Sequence, residues 1–217
     1  GGQGQVGAMK RRWQVLGALA GVVLAGILTL RLLAPWMNRW GARPDEVQAT
    51  YPGDDLVPAP ARFINRAVTV QARPEHIFPW LLQLGADKGG LYSYTAVERL
   101  IRCPLVNADR IHDEWQGLKV GDAVKMCPSE PAPPPYIVAQ IQPQQALVMG
   151  HQENGRWVDL WQFVLVPQSD GSTRLILRTR TMMVGGLWDV IHPGVFVMER
   201  GLLLGVKQRA ERLAQAR

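Results

Sequence analysis

The sequence predicts an α+β protein in which a curved antiparallel sheet wraps around one long C-terminal helix, preceded by one N-terminal transmembrane helix. Three observations carry this expectation: an uncharged apolar run at residues 15–30, a series of short alternating segments between residues 123 and 182, and a stripe of Val195, Met198, Leu202, Val206, Ala210 and Leu213 at three- and four-residue steps. Once an anchor is subtracted from 217 residues, one domain with a substantial core remains. The expected boundaries are a disordered basic N-terminus at 1–12, the anchor at 13–37, a linker at 38–62 and the folded domain at 63–217.

The anchor is expected because VLGALAGVVLAGILTL carries no charge, and the stretch from Trp13 to Trp36 contains only Arg31 as an interruption. That stretch of about 24 residues makes a helix of roughly 36 Å, against a hydrocarbon core of about 30 Å. Trp13, Trp36 and Trp40 stand at its ends, where indole rings favour the interface, and Arg31 is near enough to one end to snorkel. A cleaved signal peptide is the competing reading, but the run continues through Leu32 and Leu33 without a clear A-x-A exit. Orientation is a near tie, with Lys10, Arg11 and Arg12 on one side and Arg31, Arg39 and Arg43 on the other. The side of the membrane facing the folded domain stays open.

The linker RPDEVQATYPGDDLVPAPAR is rich in proline and acids and is expected to lie over the domain. Alternation predicts a half-buried strand at 64–70, and Arg73-Pro74-Glu75 opens a helix over 74–84 that buries Ile77, Trp80, Leu81 and Leu84. Gly85 to Gly90 stops it. Ser93 is expected to cap a second helix over 94–101. Strands follow at 123–126, 136–141, 146–150, 158–166 and 173–182, with Ser169-Asp170-Gly171 as a hairpin turn, and a helix closes the chain over 195–216. Gly201 and Gly205 make a GxxxG step, expected to allow close packing of that helix on the sheet.

The net charge of +6 comes from 24 Lys and Arg against 18 acids, and much of it flanks the apolar run or lies in the last helix. A membrane surface rich in anionic lipid suits that distribution better than nucleic acid, for which no motif is present. Cys103 and Cys127 have neither a CxxC pair nor a histidine at zinc-site spacing, so no metal is expected. They form a loop-to-loop disulfide if the domain is exported, and two unpaired thiols otherwise.

The passages GGLYSYTAVERL (89–100), NADRIHDEWQGLKVGD (107–122), WQFVLVPQSDGSTRLILRTR (161–180) and FVMERGLLLGVKQRAE (196–211) resemble the SRPBCC superfamily, the helix-grip proteins related to START domains, Bet v 1 and polyketide cyclases. The likeness covers about residues 63–212 and points to a bacterial subgroup, some of whose members carry an N-terminal hydrophobic segment. It implies a helix-grip fold with a deep apolar cavity between sheet and C-terminal helix, holding a lipophilic small molecule.

Strand alternation can be set against that implication. One face of 157–166 carries Trp157, Asp159, Trp161, Phe163 and Leu165, and one face of the next strand carries Leu175, Leu177, Thr179 and Thr181, with Arg174, Arg178 and Arg180 turned away. Asp159 is then a carboxylate between two tryptophans, needing either a partner or a raised pKa. The candidate ligand-binding residues are Trp80, Tyr92, Tyr94, Trp115, Asp159, Trp161, Phe163, Leu177, Thr179, Met198 and Leu202. No cofactor is expected, and no catalytic residue is assigned: His76, His112, His151 and His192 show no triad spacing. The function expected is a membrane-anchored binder or carrier of a lipid, quinone or isoprenoid, with membrane lipids as its surroundings. The alternatives are a cyclase, dehydratase or hydrolase using Asp159, His112 or Asp109 as acid or base, and a non-catalytic interaction module marked by an exposed apolar patch near the linker.

Overall fold

A computed structural model of the chain describes residues 2–216, and within them the side chains other than those of residues 2–12, 15, 19, 20, 23 and 186–189. The chain divides into two compact units, Gly1–Met37 and Asn38–Arg217.

The first unit is a helix, α1 (Gly2–Asn38), in which the Thr29 hydroxyl donates back to the Ala25 carbonyl at 2.8 Å. Among the described residues no helix is long and apolar enough to cross a membrane. The anchor expected at 13–37 therefore finds no support in the structure, although residues 15, 19, 20 and 23 of the run that predicts it have side chains outside the described set, as does the 1–12 segment.

The second unit contains a six-stranded antiparallel sheet of β1 (Arg62–Val70), β2 (Ala123–Val124), β3 (Tyr136–Gln142), β4 (Ala146–Glu153), β5 (Arg156–Pro167) and β6 (Thr173–Thr181), in the order β1-β6-β5-β4-β3-β2. Its helices are α2 (Pro44–Gln48), α3 (Pro74–Leu82), α4 (Thr95–Leu100) and the long α5 (Gly186–Gln215). Strands in chain order pair as hairpins, while β1 closes on β6, which brings the first and last strands of the domain together. The concave face grips α5, so the fold is a helix-grip fold.

The core lies between that face and the helices. Leu147 and Met149 of β4, Trp161, Phe163 and Leu165 of β5, and Leu175 and Leu177 of β6 pack against Ile77, Trp80 and Leu81 of α3 and Leu202, Leu203, Val206 and Ala210 of α5. The apolar stripe read from the sequence is thus the buried face of α5, although the helix begins nine residues earlier than the expected start at 195. Pro193 falls inside it. The GxxxG step allows close packing, but on the segment Tyr92 to Tyr94 rather than on the sheet: a Cβ at Gly205 would collide with the Tyr92 carbonyl, and one at Gly201 with Ser93 and Tyr94. Ser93 does not cap α4. Its hydroxyl donates instead to the Met198 carbonyl of α5 at 2.9 Å, and Tyr94 takes the cap position.

Arg174, Arg178 and Arg180 do stand on the face opposite the leucines, as alternation requires, yet Arg174 and Arg178 are buried, because the 38–62 segment covers that face. Glu46 of α2 takes a two-pronged ion pair from Arg174 at 2.6 and 2.8 Å. Arg178 donates to Asp54, Asn65, and the carbonyls of Ala49 and Glu46, with its guanidinium between the rings of Tyr51 and Phe63. Arg180 holds the carbonyls of Val57 and Pro58. Two small apolar clusters, Val57 with Val148 and Leu160, and Ala67 with Val164 and Ile176, fill the space between. Two of the acids that mark 38–62 as polar in the sequence, Glu46 and Asp54, are counter-ions for the back of the sheet, while Asp45 and Asp55 stay exposed.

Candidate functional site

A cavity of about 1400 Å³ opens inside the grip, bounded by the concave face of β3, β4 and β5, the first half of α5, α4 and the proline-rich segment before β3. Its wall is mostly apolar, with Leu91, Leu105, Met126, Trp161, Met198 and Leu202 among the lining residues. At the rim, Ile101, Met183, Val190 and Ile191 line the opening while remaining 58%, 44%, 74% and 44% exposed. The disulfide between Cys103 and Cys127, whose Cα atoms are 5.3 Å apart, lies in the same wall and ties the end of α4 to the start of the proline-rich segment. The pairing left open by the sequence is therefore made.

One polar cluster interrupts the apolar wall. Asp159, 2% exposed, accepts a hydrogen bond from Nδ1 of His151 at 3.1 Å, and the Tyr136 hydroxyl also bonds to it. Nε2 of His151 points at the Pro134 carbonyl at 3.2 Å. Both partners only accept, so both ring nitrogens must donate, and the geometry selects the imidazolium. In agreement, the pKa of His151 is raised, chiefly by the bond to Asp159 and against the effect of burial. The Tyr136 ring lies tilted against His151 at 4.1 Å and stacks on Trp161 at 5.4 Å, and its hydroxyl pKa is pushed up by burial and by the carboxylate.

A second pair lies deeper. Glu199 of α5 accepts from Nε1 of Trp161 at 2.9 Å and forms an ion pair with Arg66, which sits on the concave face of β1. Nη2 of Arg66 is 3.3 Å from Nε2 of His192, and its guanidinium lies 5.2 Å from the centre of the Phe196 ring. Burial lowers the Arg66 pKa to about 10, still far enough above neutrality to keep the charge.

Of the residues predicted from the sequence, Asp159, Trp161, Met198 and Leu202 line the cavity. Trp80, Tyr92, Phe163, Leu177 and Thr179 are buried in the core outside that lining, Trp80 edge-on to Tyr92 at 5.7 Å and Phe163 edge-on to Trp161 at 4.8 Å. Tyr94 packs on α5, its hydroxyl accepting from Arg200 at 2.8 Å, and Trp115 stacks on His112 at 4.1 Å, both away from the lining. Asp159 does not lie between two tryptophans. A β-bulge at Val158 breaks the alternation, as Gln152 pairs with Trp157 but His151 with Asp159. Trp157 thereby packs with Val148 and Leu160 on the covered face, while Val158 enters the cavity lining.

Sequence reasoning missed Tyr136, His151, Glu199 and Arg66. The pairing of His151 with Asp159 is implicit in the hairpin, whose Asn154-Gly155 turn has both residues at positive φ, but the bulge hides the register. His112 and Asp109, weighed as acid or base, are not on the wall: His112 pairs with Glu114, and Asp109 is exposed. Among the described residues no cluster of His, Cys, Asp and Glu is arranged to hold a metal ion.

No protein-family model matches the chain. No curated protein matches it either. Among solved structures, the chain is similar to the self-sacrificing resistance protein CalC from Micromonospora echinospora, at 15% identity over 71% of this chain and 97% of that one, with a TM-score of 0.44. It is also similar to Aha1 from Colwellia psychrerythraea, at 17% identity over 69% and 96% with a TM-score of 0.44, and to Ara h 8.0201, at 12% identity over 69% and 97% with a TM-score of 0.42. At these identities and scores the likeness carries no functional information.

Proposed function

We propose that this protein binds and carries a lipophilic small molecule of the size of a lipid, quinone or isoprenoid in the cavity between sheet and α5. The observation that supports this most is the cavity itself: about 1400 Å³ of mostly apolar wall with few polar groups, more than an apolar core would leave empty by packing defects. Ile101, Met183, Val190 and Ile191 give the opening an exposed apolar rim, which suits the entry of a lipophile. A fluorescence titration of the full chain with the apolar probe N-phenyl-1-naphthylamine tests it. The wild type is expected to bind the probe saturably, and Val158→Trp, which fills the lining beside the bulge, to weaken binding at least about tenfold while melting normally. Equal binding by the two proteins would place the probe elsewhere and count against the reading.

The reading includes a membrane tether in the 13–37 segment, supported by the uncharged run at 15–30 and its flanking tryptophans. The Cys103–Cys127 disulfide supports a domain facing an oxidising compartment. Resistance of the full chain to extraction by alkaline carbonate is the expected result, and complete release would remove the tether.

A catalytic reading has one observation in its favour, the hydrogen-bonded cluster of Tyr136, His151 and Asp159 on the wall of an apolar cavity, which brings titratable groups together at its edge. It predicts turnover of a polyketide-like or aromatic substrate that disappears in His151→Gln.

A further inference from the structure

The polar groups of the cavity also select a kind of ligand, and resting on the carrier reading above, we propose that the ligand is a lipophile whose polar end is a hydrogen-bond donor, an alcohol, phenol or amine, and that carboxylate-headed lipids are rejected. The charged side chains on the wall are Glu130, Glu153, Asp159 and Glu199 against Arg102 and His151. The two buried acids are compensated from the protein side, Asp159 by His151 and Tyr136, and Glu199 by Arg66 and Trp161.

That compensation uses up the donors. Both N–H groups of His151 go to Asp159 and the Pro134 carbonyl, the indole N–H of Trp161 goes to Glu199, and the Ser93 hydroxyl goes to Met198. Pro131, Pro133, Pro134 and Pro135, all in the lining, have no backbone N–H to offer. Arg102 and Gln152 are solvent-exposed at the rim. What the interior presents is oxygen lone pairs: each carboxylate has about four acceptor sites, of which the protein occupies only some, and a tyrosine hydroxyl that donates to a carboxylate still accepts.

A donor head entering this site exchanges its water for those lone pairs. A carboxylate head meets acceptors facing acceptors, and must shed its hydration without compensation. The selection thus comes from a shortage of donors as much as from the acids themselves.

Competition among three ligands of equal chain length tests this. Dodecanol, dodecylamine and dodecanoate, each below its micellar concentration at neutral pH, are used to displace N-phenyl-1-naphthylamine from the full chain. Dodecanol and dodecylamine are expected to displace it at concentrations at least about tenfold below dodecanoate. In Asp159→Asn, whose amide adds a donor and removes a charge, the gap is expected to narrow to about threefold or less, and Glu199→Gln serves the same purpose if the first variant does not fold. Dodecanoate displacing as well as the other two, or a gap unchanged in a folded variant, overturns the inference while leaving the carrier reading standing. Displacement by none of the three overturns the carrier reading, and this inference with it.

Discussion

His151 is the residue where charge, cavity and fold meet. Its folded pKa is raised above the ordinary histidine value of about 6.5, first by the bond to Asp159. A raised pKa means that the folded state holds the proton more tightly than the unfolded chain, so the stabilisation is fully present below about pH 6.5 and is lost as pH rises through the folded pKa. His151→Gln removes the titrating group. Urea unfolding across that range is expected to show wild-type stability falling relative to the variant as pH rises, and parallel curves would contradict the assignment. Asp159 was legible because strand alternation places it beside Trp161. His151 was not, because a one-residue bulge changes which side chains share a face, and nothing in the pattern of Val158 announces it.

At the level of elements, the 38–62 segment shows how far composition alone can be read. Prolines and acids predict a connection lying over the domain, and it does lie there, but two of its acids, Glu46 and Asp54, face inward to meet arginines that alternation had already turned to that side. Reading the two patterns together, outward arginines on β6 and acids in the preceding segment, contains the pairing; either one alone reads as solvent-facing. Glu46 is 6% exposed and Arg174 5%, so Glu46→Ala leaves a buried guanidinium without its carboxylate and is expected to cost about 3–5 kcal/mol in chemical denaturation. A loss under about 1 kcal/mol would show that the pair is screened as a surface pair is. The strands and the α5 stripe were legible to within a few residues because period-two and helical spacing are set by which side is dry. The start of α5 was not, since Val190 and Ile191 are exposed at the rim and Pro193 falls within the helix.

Taken whole, the domain is a sheet dry on both faces and buried by two different means. The concave side is filled by α3 and α5 toward one end and left open at the other, and the convex side is closed by ion pairs and two small apolar clusters. A rigid back and an open front suit a container. The disulfide adds to that rigidity by closing a loop of about 24 residues in the cavity wall, a constraint on the unfolded chain of roughly 3 kcal/mol. Native mass spectrometry of the full chain, extracted in a mild detergent, is the most direct test of the central claim that the cavity holds a lipophile. The expected result is a bound neutral or cationic lipophile that survives transfer and is lost in Val158→Trp; a chain that flies with no adduct in either protein, after extraction from cells that supply such molecules, would contradict it.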